Sequence, residues 1–218
     1  LIGLMSPISI VFAADFFVSW QTDAYTPYFY QGKVFPTNNS NIIASFELLE
    51  NNRPTSLSQK QIRWYLDNEL LQSGAGLKTI IFKTSLLERN GHQLKIIIPQ
   101  YNNGKDLEKT VFIPIIAPEV VIDAPYANGL LSTGVNLFRG LFYFFNIDSL
   151  KELSIDWFVN NRSAPSSLLG TDVLEMTNPG WSRYINIGLG AKNKNNELEF
   201  ASEKINLMIK YLELRNAF

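Results

Sequence analysis

Ile62-Arg63-Trp64-Tyr65-Leu66-Asp67-Asn68 is written a second time as Ile155-Asp156-Trp157-Phe158-Val159-Asn160-Asn161. In each copy an apolar residue, a tryptophan and a second apolar residue stand two apart: Ile62, Trp64, Leu66 and Ile155, Trp157, Val159. A strand sends alternate side chains to opposite faces, so each copy buries its tryptophan and turns the other face outward. Each ends in Asp-Asn or Asn-Asn, residues that tolerate left-handed turn geometry. The two tryptophans are 93 positions apart, the length of one small sandwich domain. The spacing predicts two similar β-domains in series, with Trp64 and Trp157 as structural core.

Short alternating runs surround both copies. Phe16, Val18 and Trp20 share one phase, and so do Ile42, Ala44, Phe46 and Leu48; Leu94, Ile96 and Ile98; and Val111, Ile113 and Ile115. Turn residues punctuate them at Asn51-Asn52-Arg53-Pro54, Gly74-Ala75-Gly76 and Asn102-Asn103-Gly104. The last carries the Asn-Gly pair that supplies positive φ in a tight hairpin. Strands at this spacing are the pattern of an antiparallel sandwich, and no helical period precedes residue 117. Beyond Pro118 the plan recurs: Glu119 to Ile122, Val135 to Ile147, the Trp157 strand, Asp172 to Met176, a Pro179-Gly180 turn, Ile185 to Leu189 and Ile205 to Ile209. The tail from Lys210 to Phe218 shows no anchor. The fold class is all-β, with domains expected over 15–117 and 118–218.

Composition narrows the function classes. Nineteen basic and twenty acidic residues leave a net charge of −1, without the basic stripe that nucleic acid demands. There is no cysteine, which excludes a disulfide framework and any thiolate metal site. Leu1 to Ala14 is uncharged and mostly apolar, the length of a signal-peptide core, with Val11-Phe12-Ala13 fitting a processing site. No basic head precedes it, so it is expected to be the remainder of a longer leader. The run is too short to span a bilayer, and so is Leu141 to Phe145 beside Arg139. Export to the periplasm, envelope or surface is the expectation.

On the two Trp stretches and their turns, the chain resembles tandem bacterial immunoglobulin-like domains of the exported, envelope type. Phe145-Asn146-Ile147-Asp148-Ser149-Leu150 is similar to the loop ahead of that tryptophan in cadherin-like modules. The resemblance implies two sandwiches and a structural or protein-binding role, and it carries no activity of its own.

Candidate chemistry is sparse. His92 is the only histidine; it follows the Asn90-Gly91 turn with no Gly-x-Ser-x-Gly elbow, so a solvated strand-end histidine is expected. The carboxylates Glu47, Asp67, Glu69, Asp156, Asp172 and Glu175 suit strand faces better than a glycosidase pair. Glu119 and Asp123 alone, at the junction, cannot supply the six to eight oxygens that calcium takes. No metal, cofactor or catalytic residue is therefore assigned. Tyr25, Tyr28, Tyr30, Tyr65 and Phe158 remain as outward aromatics able to anchor a protein or stack on a sugar. The sequence predicts a rigid two-domain spacer or adhesion-type unit that binds a protein or surface component, with carbohydrate binding as the alternative.

Overall fold

The computed structural model describes residues 14–85, 90–102, 104–124, 126, 129–131, 134–178 and 184–209. Residues 1–13 of the expected 1–14 leader, Asn103 of the Asn-Gly hairpin, the Pro179-Gly180 turn and the 210–218 tail lie outside the described residues; Ala14, the leader's expected last residue, is half-buried against the core of unit 1. Two compact units make up the chain. Unit 1 takes the strand ending at Gln21 together with Asn41–Lys83 and Asn90–Pro114; unit 2 takes Thr22–Ser40, the segment starting at Thr84, and the chain from Ile115 onward.

Unit 1 carries β1 (Asp15–Thr22), β2 (Asn41–Glu50), β3 (Arg53–Pro54), β4 (Gln61–Leu66), β5 (Glu69–Ala75), β6 (Thr79–Lys83), β7 (Gly91–Asn102) and β8 (Lys105–Pro114). β2 sits between β1 and the pair β3 and β6 in one sheet; the other runs β5-β4-β7-β8. The alternation read from the sequence is the burial pattern observed. Ile42, Ala44, Phe46 and Leu48 turn inward from β2, and Leu94, Ile96 and Ile98 from β7, all around a fully buried Trp64. β5 was not legible, because Glu69–Leu71 and its neighbours are almost all exposed and show no apolar phase. Only its hairpin with β4 makes it a strand. β6, whose phase the sequence leaves open, points Ile80 and Phe82 inward.

On β7, Tyr101 donates its phenolic proton to Glu50 Oε1 at 2.6 Å. Burial, then that bond and the charge on Glu50, push the phenol up from 10.0 to about 12. A phenol whose folded value lies above its unfolded one adds stability in full below about pH 10 and loses it as pH rises through about 12. In an ultraviolet titration Tyr101 is expected to ionise at this displaced pH, and Glu50→Gln to bring it down. A titration unmoved by that substitution would contradict the assignment.

Unit 2 repeats the plan with β9 (Glu119–Asp123), β10 (Leu130–Leu131), β11 (Gly134–Tyr143), β12 (Leu153–Val159), β13 (Arg162–Ala164), β14 (Val173–Asn178), β15 (Tyr184–Asn193) and β16 (Asn196–Ile209). One sheet is β14-β11-β9 and the other β10-β16-β15-β12-β13, with β10 parallel to β16 and the remaining pairs antiparallel. Its core is Trp157 with Phe138, Phe142, Phe145, Leu174, Ile187 and Leu189. The aromatic run 141–145 is thus largely buried, while Leu141 and Tyr143 stay half-exposed. Gly140 lets the sheets approach here: a Cβ on it would come within 2.7 Å of Leu189 Cδ2. A 3-10 turn spans Leu150–Glu152.

The duplication extends to atoms. Trp64 Nε1 donates to Leu77 O at 2.8 Å, and Trp157 Nε1 to Thr171 O at 3.1 Å. Asp67-Asn68 (φ 50° and 72°) and Asn160-Asn161 (φ 50° and 61°) both form two-residue hairpin turns with positive φ at each position. Those angles match the right-handed twist of the flanking strands, which is why short polar Asp and Asn stand there. Two units of this kind, one of two four-stranded sheets and one of a three- and a five-stranded sheet, each around a buried tryptophan, define a tandem immunoglobulin-like all-β protein.

Candidate functional site

Thr22–Ser40 holds most of the candidate aromatics, all within unit 2. Ala24 and Pro27 are buried anchors. Tyr25 makes two backbone bonds at 2.7 Å, donating to Phe145 O and accepting from Phe144 N–H. Between them Phe144 sits at φ 63° with its ring 6% exposed. A bulky residue in the left-handed region is strained by about 1–3 kcal/mol, and such strain concentrates where a structure holds a binding feature in place. Here the turn at Phe144 is what allows its N–H and the Phe145 carbonyl both to meet Tyr25.

Rings stack on that base. Tyr30 meets Tyr143 and Phe144 edge-on at centroid distances of 5.6 and 5.8 Å, and Phe35 meets Phe144 at 6.2 Å. Tyr30 N–H donates to Pro27 O at 2.9 Å, closing a turn whose two central residues are Tyr28 and Phe29. Tyr30 Oη donates to Lys33 O at 3.1 Å. Tyr28 is 99% exposed and Phe29 50%, their rings 5.3 Å apart at 83°. The phenols of Tyr25 and Tyr143 are pushed up chiefly by burial, with smaller contributions from Asp172 on the first and from Tyr30, Asp123 and Glu119 on the second. The result is a projecting aromatic corner on a fixed, uncharged ring stack.

Further along the segment, a buried polar cluster holds 37–40 in unit 2. Glu199 is 4% exposed; its Oε1 accepts from Thr37 Oγ1 at 3.2 Å and from Asn146 N–H at 2.7 Å, and its Oε2 from Asn193 Nδ2 at 2.6 Å. Ser40 Oγ donates to Asn146 Oδ1 at 2.6 Å. Neutral donors satisfy this carboxylate where a buried charge would otherwise be costly.

The remaining sequence candidates lie elsewhere. Tyr65 is half-buried on β4 of unit 1, opposite Leu70 and Lys95. Phe158 is half-buried on β12 between Ser163 and Gly188. Tyr25, Tyr28 and Tyr30 are brought together; these two are not part of their cluster. Sequence reasoning missed Phe35, Tyr143, Phe144 and Glu199. Phe144 reads as an ordinary member of an apolar run, and Glu199 as one more polar residue in a polar stretch.

His92 corrects an expectation. It is 3% exposed, not solvated, and its Nδ1 lies 2.6 Å from Asp67 Oδ2. Asp67 Oδ1 also accepts from Gln93 N–H at 2.8 Å. In unit 2, Asn160 Oδ1 accepts from Asn186 N–H at 3.0 Å, and Ile185 stands where His92 does. The His–Asp pair therefore replaces an apolar residue and an amide in pinning a hairpin turn to the next strand. Asp67→Ala and Asn160→Ala are both expected to cost about 1 kcal/mol. Combining Asp67→Asn with His92→Ile, which copies unit 2 into unit 1, should recover most of the stability lost by His92→Ile alone. Denaturant unfolding checks this, and a double variant worse than both singles would refute it.

The six carboxylates considered for a glycosidase pair are spread over strands and turns: Glu47 pairs with Lys78 at 3.1 Å, and Glu175 accepts from Ser167 Oγ at 3.2 Å. Among the described residues, no group of three or more His, Cys, Asp or Glu is placed to hold a metal ion, and no helix is long and apolar enough to cross a membrane.

No family model matches the chain, and no curated protein does. Similar solved structures exist. The fibronectin(III)-like modules of CbhA from Clostridium thermocellum match 92% of this chain and 98% of theirs at 15% identity, TM-score 0.34. Three N-terminal domains of the Highly Immunogenic Outer Capsid protein of bacteriophage RB49 match 89% of this chain and 59% of theirs at 11% identity, TM-score 0.45. The Bacteroides ovatus protein SGBP-B, solved with a mixed-linkage heptasaccharide, matches 88% of this chain and 47% of its own at 13% identity, TM-score 0.27.

Proposed function

We propose that this chain is a non-enzymatic interaction module of an exported bacterial protein, in which two sandwiches serve as spacer and scaffold; the boundary expected at 117/118 does not hold for Thr22–Ser40, which belongs to unit 2. Its contact with a protein partner is the aromatic corner of Tyr28 and Phe29. One observation carries the reading: a tyrosine 99% exposed at the centre of a turn whose flanks are locked by Pro27, Tyr30 and the strained Phe144. A pre-organised aromatic loses little entropy on docking, which is what makes such residues strong anchors.

Carbohydrate binding is the second reading, since ring faces also stack on sugars. The 83° between the two rings favours a pocket-filling corner over a flat platform for a linear polysaccharide. Tyr28→Ala/Phe29→Ala is expected to keep wild-type unfolding, because both rings are largely in solvent. With a photo-crosslinking residue at position 28, the exported chain should give a discrete protein adduct in its own envelope, lost when Phe29→Ala is added. Retardation in polysaccharide gels that the double variant abolishes, with no protein adduct, would replace the protein reading by the sugar one.

A further inference from the structure

β16 is the longest strand of unit 2, and among the described residues one side of it is unclaimed for most of its length. β15 pairs with it from Asn196 onward, whereas β10 adjoins it only at Met208 and Ile209. The direction of its backbone groups follows from β15. Asn186 turns its N–H and C=O toward β12, where both meet Asn160. Successive residues of a strand alternate in direction, so Ile187 and its partner Ile205 face each other. Phe200, Ser202, Lys204 and Asn206 then turn their N–H and C=O groups to the open side. An open row of that length is normally shortened or interrupted, often by proline or lysine. β8, the matching last strand of unit 1, carries Lys105 and Lys109 and ends on Pro114. β16 has no proline, and its outer face presents Leu198 and Phe200 at 64% and 65% exposure.

The inner side of this edge borders an open groove of about 540 Å³ whose other wall is β9. Val120, Ile122, Ala201 and Ile205 make it apolar, and Glu119 and Glu203 make it acidic. Both carboxylates are exposed, and neither is in an ion pair among the described residues. No lysine or arginine lines the groove. The lysines of β15 and β16 are engaged elsewhere: Lys192 pairs with Glu197 at 3.1 Å, and Lys204 donates to Asn161 Oδ1 at 3.4 Å.

The geometry points to an extended, basic segment of a partner protein as the occupant, added as a further strand beside β16. The open N–H and C=O groups select the backbone conformation, because another strand satisfies the whole row at once. Glu119 and Glu203 select the charge. Alternate side chains of the added strand enter the groove, and lysines at those positions meet both carboxylates. The intervening side chains lie beside Leu198 and Phe200, where apolar residues cover them. A second copy of this chain fits poorly, since pairing β16 with β16 brings the carboxylates of both copies to one seam. The site is separate from the Tyr28 corner and does not rest on it.

The probe is a fluorescein-labelled octapeptide of alternating lysine and valine, titrated with the whole chain at about 50 mM salt, where exposed charges are only partly screened. Fluorescence anisotropy is expected to give a Kd on the order of 10–100 μM. A version with every backbone nitrogen methylated keeps the charge but cannot donate, and should bind at least tenfold more weakly. Glutamate in place of the lysines should weaken binding as much. Glu203→Lys, at an exposed position, should lower affinity at least tenfold while the fold is kept. Ser202→Pro should do the same, since it removes a donor from the open side and none from the pairing with β15. In amide hydrogen exchange the peptide should protect Ser202, Lys204 and Asn206. Tyr28→Ala/Phe29→Ala should leave all of this unchanged, which separates the groove from the aromatic corner. Equal binding of the methylated or the acidic peptide overturns the inference, as does no binding at about 1 mM chain. Protection of the same amides when the chain alone is concentrated would give the edge to a second copy and overturn it too.

Discussion

Trp64→Ala and Trp157→Ala are each expected to remove about 3–5 kcal/mol from the unit that contains them. Both rings are essentially without solvent contact, at 0% and 1% exposure. Truncation deletes the largest apolar side chain of its core and leaves a cavity that rigid strands on both sides cannot close. In unit 1 the loss includes the packing of Phe46, whose ring lies 5.6 Å from the indole. Each change also strands a carbonyl, Leu77 O or Thr171 O, that the indole N–H had satisfied. Phenylalanine should recover most of the packing and none of that bond, placing it between wild type and alanine. Hydrogen exchange resolved along the chain is the measurement: Trp64→Ala should deprotect β2, β4 and β7, and Trp157→Ala should deprotect β11, β12 and β15. Losses near 1 kcal/mol at both sites would mean that neither ring organises a core.

Glu199→Ala is the other large effect, at about 3–5 kcal/mol. The carboxylate is the shared acceptor of the Thr37 hydroxyl, the Asn146 amide and the Asn193 side chain, and Thr37 and Asn193 are 2% and 1% exposed. Removing it leaves three donors facing one another with no acceptor, and unsatisfied buried donors cost more than the bonds they lose. A cavity of about 230 Å³ lined in part by Thr37, Asn38 and Glu199 can admit water and recover part of the loss. Glu199→Gln keeps one acceptor oxygen but turns an NH2 toward other donors, so it should fall midway. Limited proteolysis provides the local readout: Glu199→Ala is expected to open cleavage within residues 22–40, because this cluster and the Tyr25 bonds hold that segment. A variant within about 0.5 kcal/mol of wild type, with unchanged proteolysis, would show that water already serves these groups.

The aromatic corner illustrates how unevenly the site was legible. Tyr28 could be named as an outward ring because Pro27 and the surrounding aromatics break any strand phase. That Tyr25 and Tyr30 would be half-buried against Phe144 could not, since their partners lie more than a hundred residues away. His92 was misjudged for the same reason. Its chain neighbours Asn90 and Gly91 describe a turn, whereas its burial comes from the Asp67 turn across the sheet.

The sequence alone determined the class of fold: period-two alternation decides which face of each strand is buried, and two indoles 93 residues apart decide that there are two cores. It also determined the hairpin turns, because Asp-Asn and Asn-Asn relieve the strain of positive φ locally. Tertiary structure alone decided that Thr22–Ser40 belongs to unit 2, that Phe144 adopts a left-handed backbone, and that β5, with no apolar phase, is a strand at all. Each of those depends on hydrogen bonds or packing supplied by distant residues, and local pattern carries no record of them.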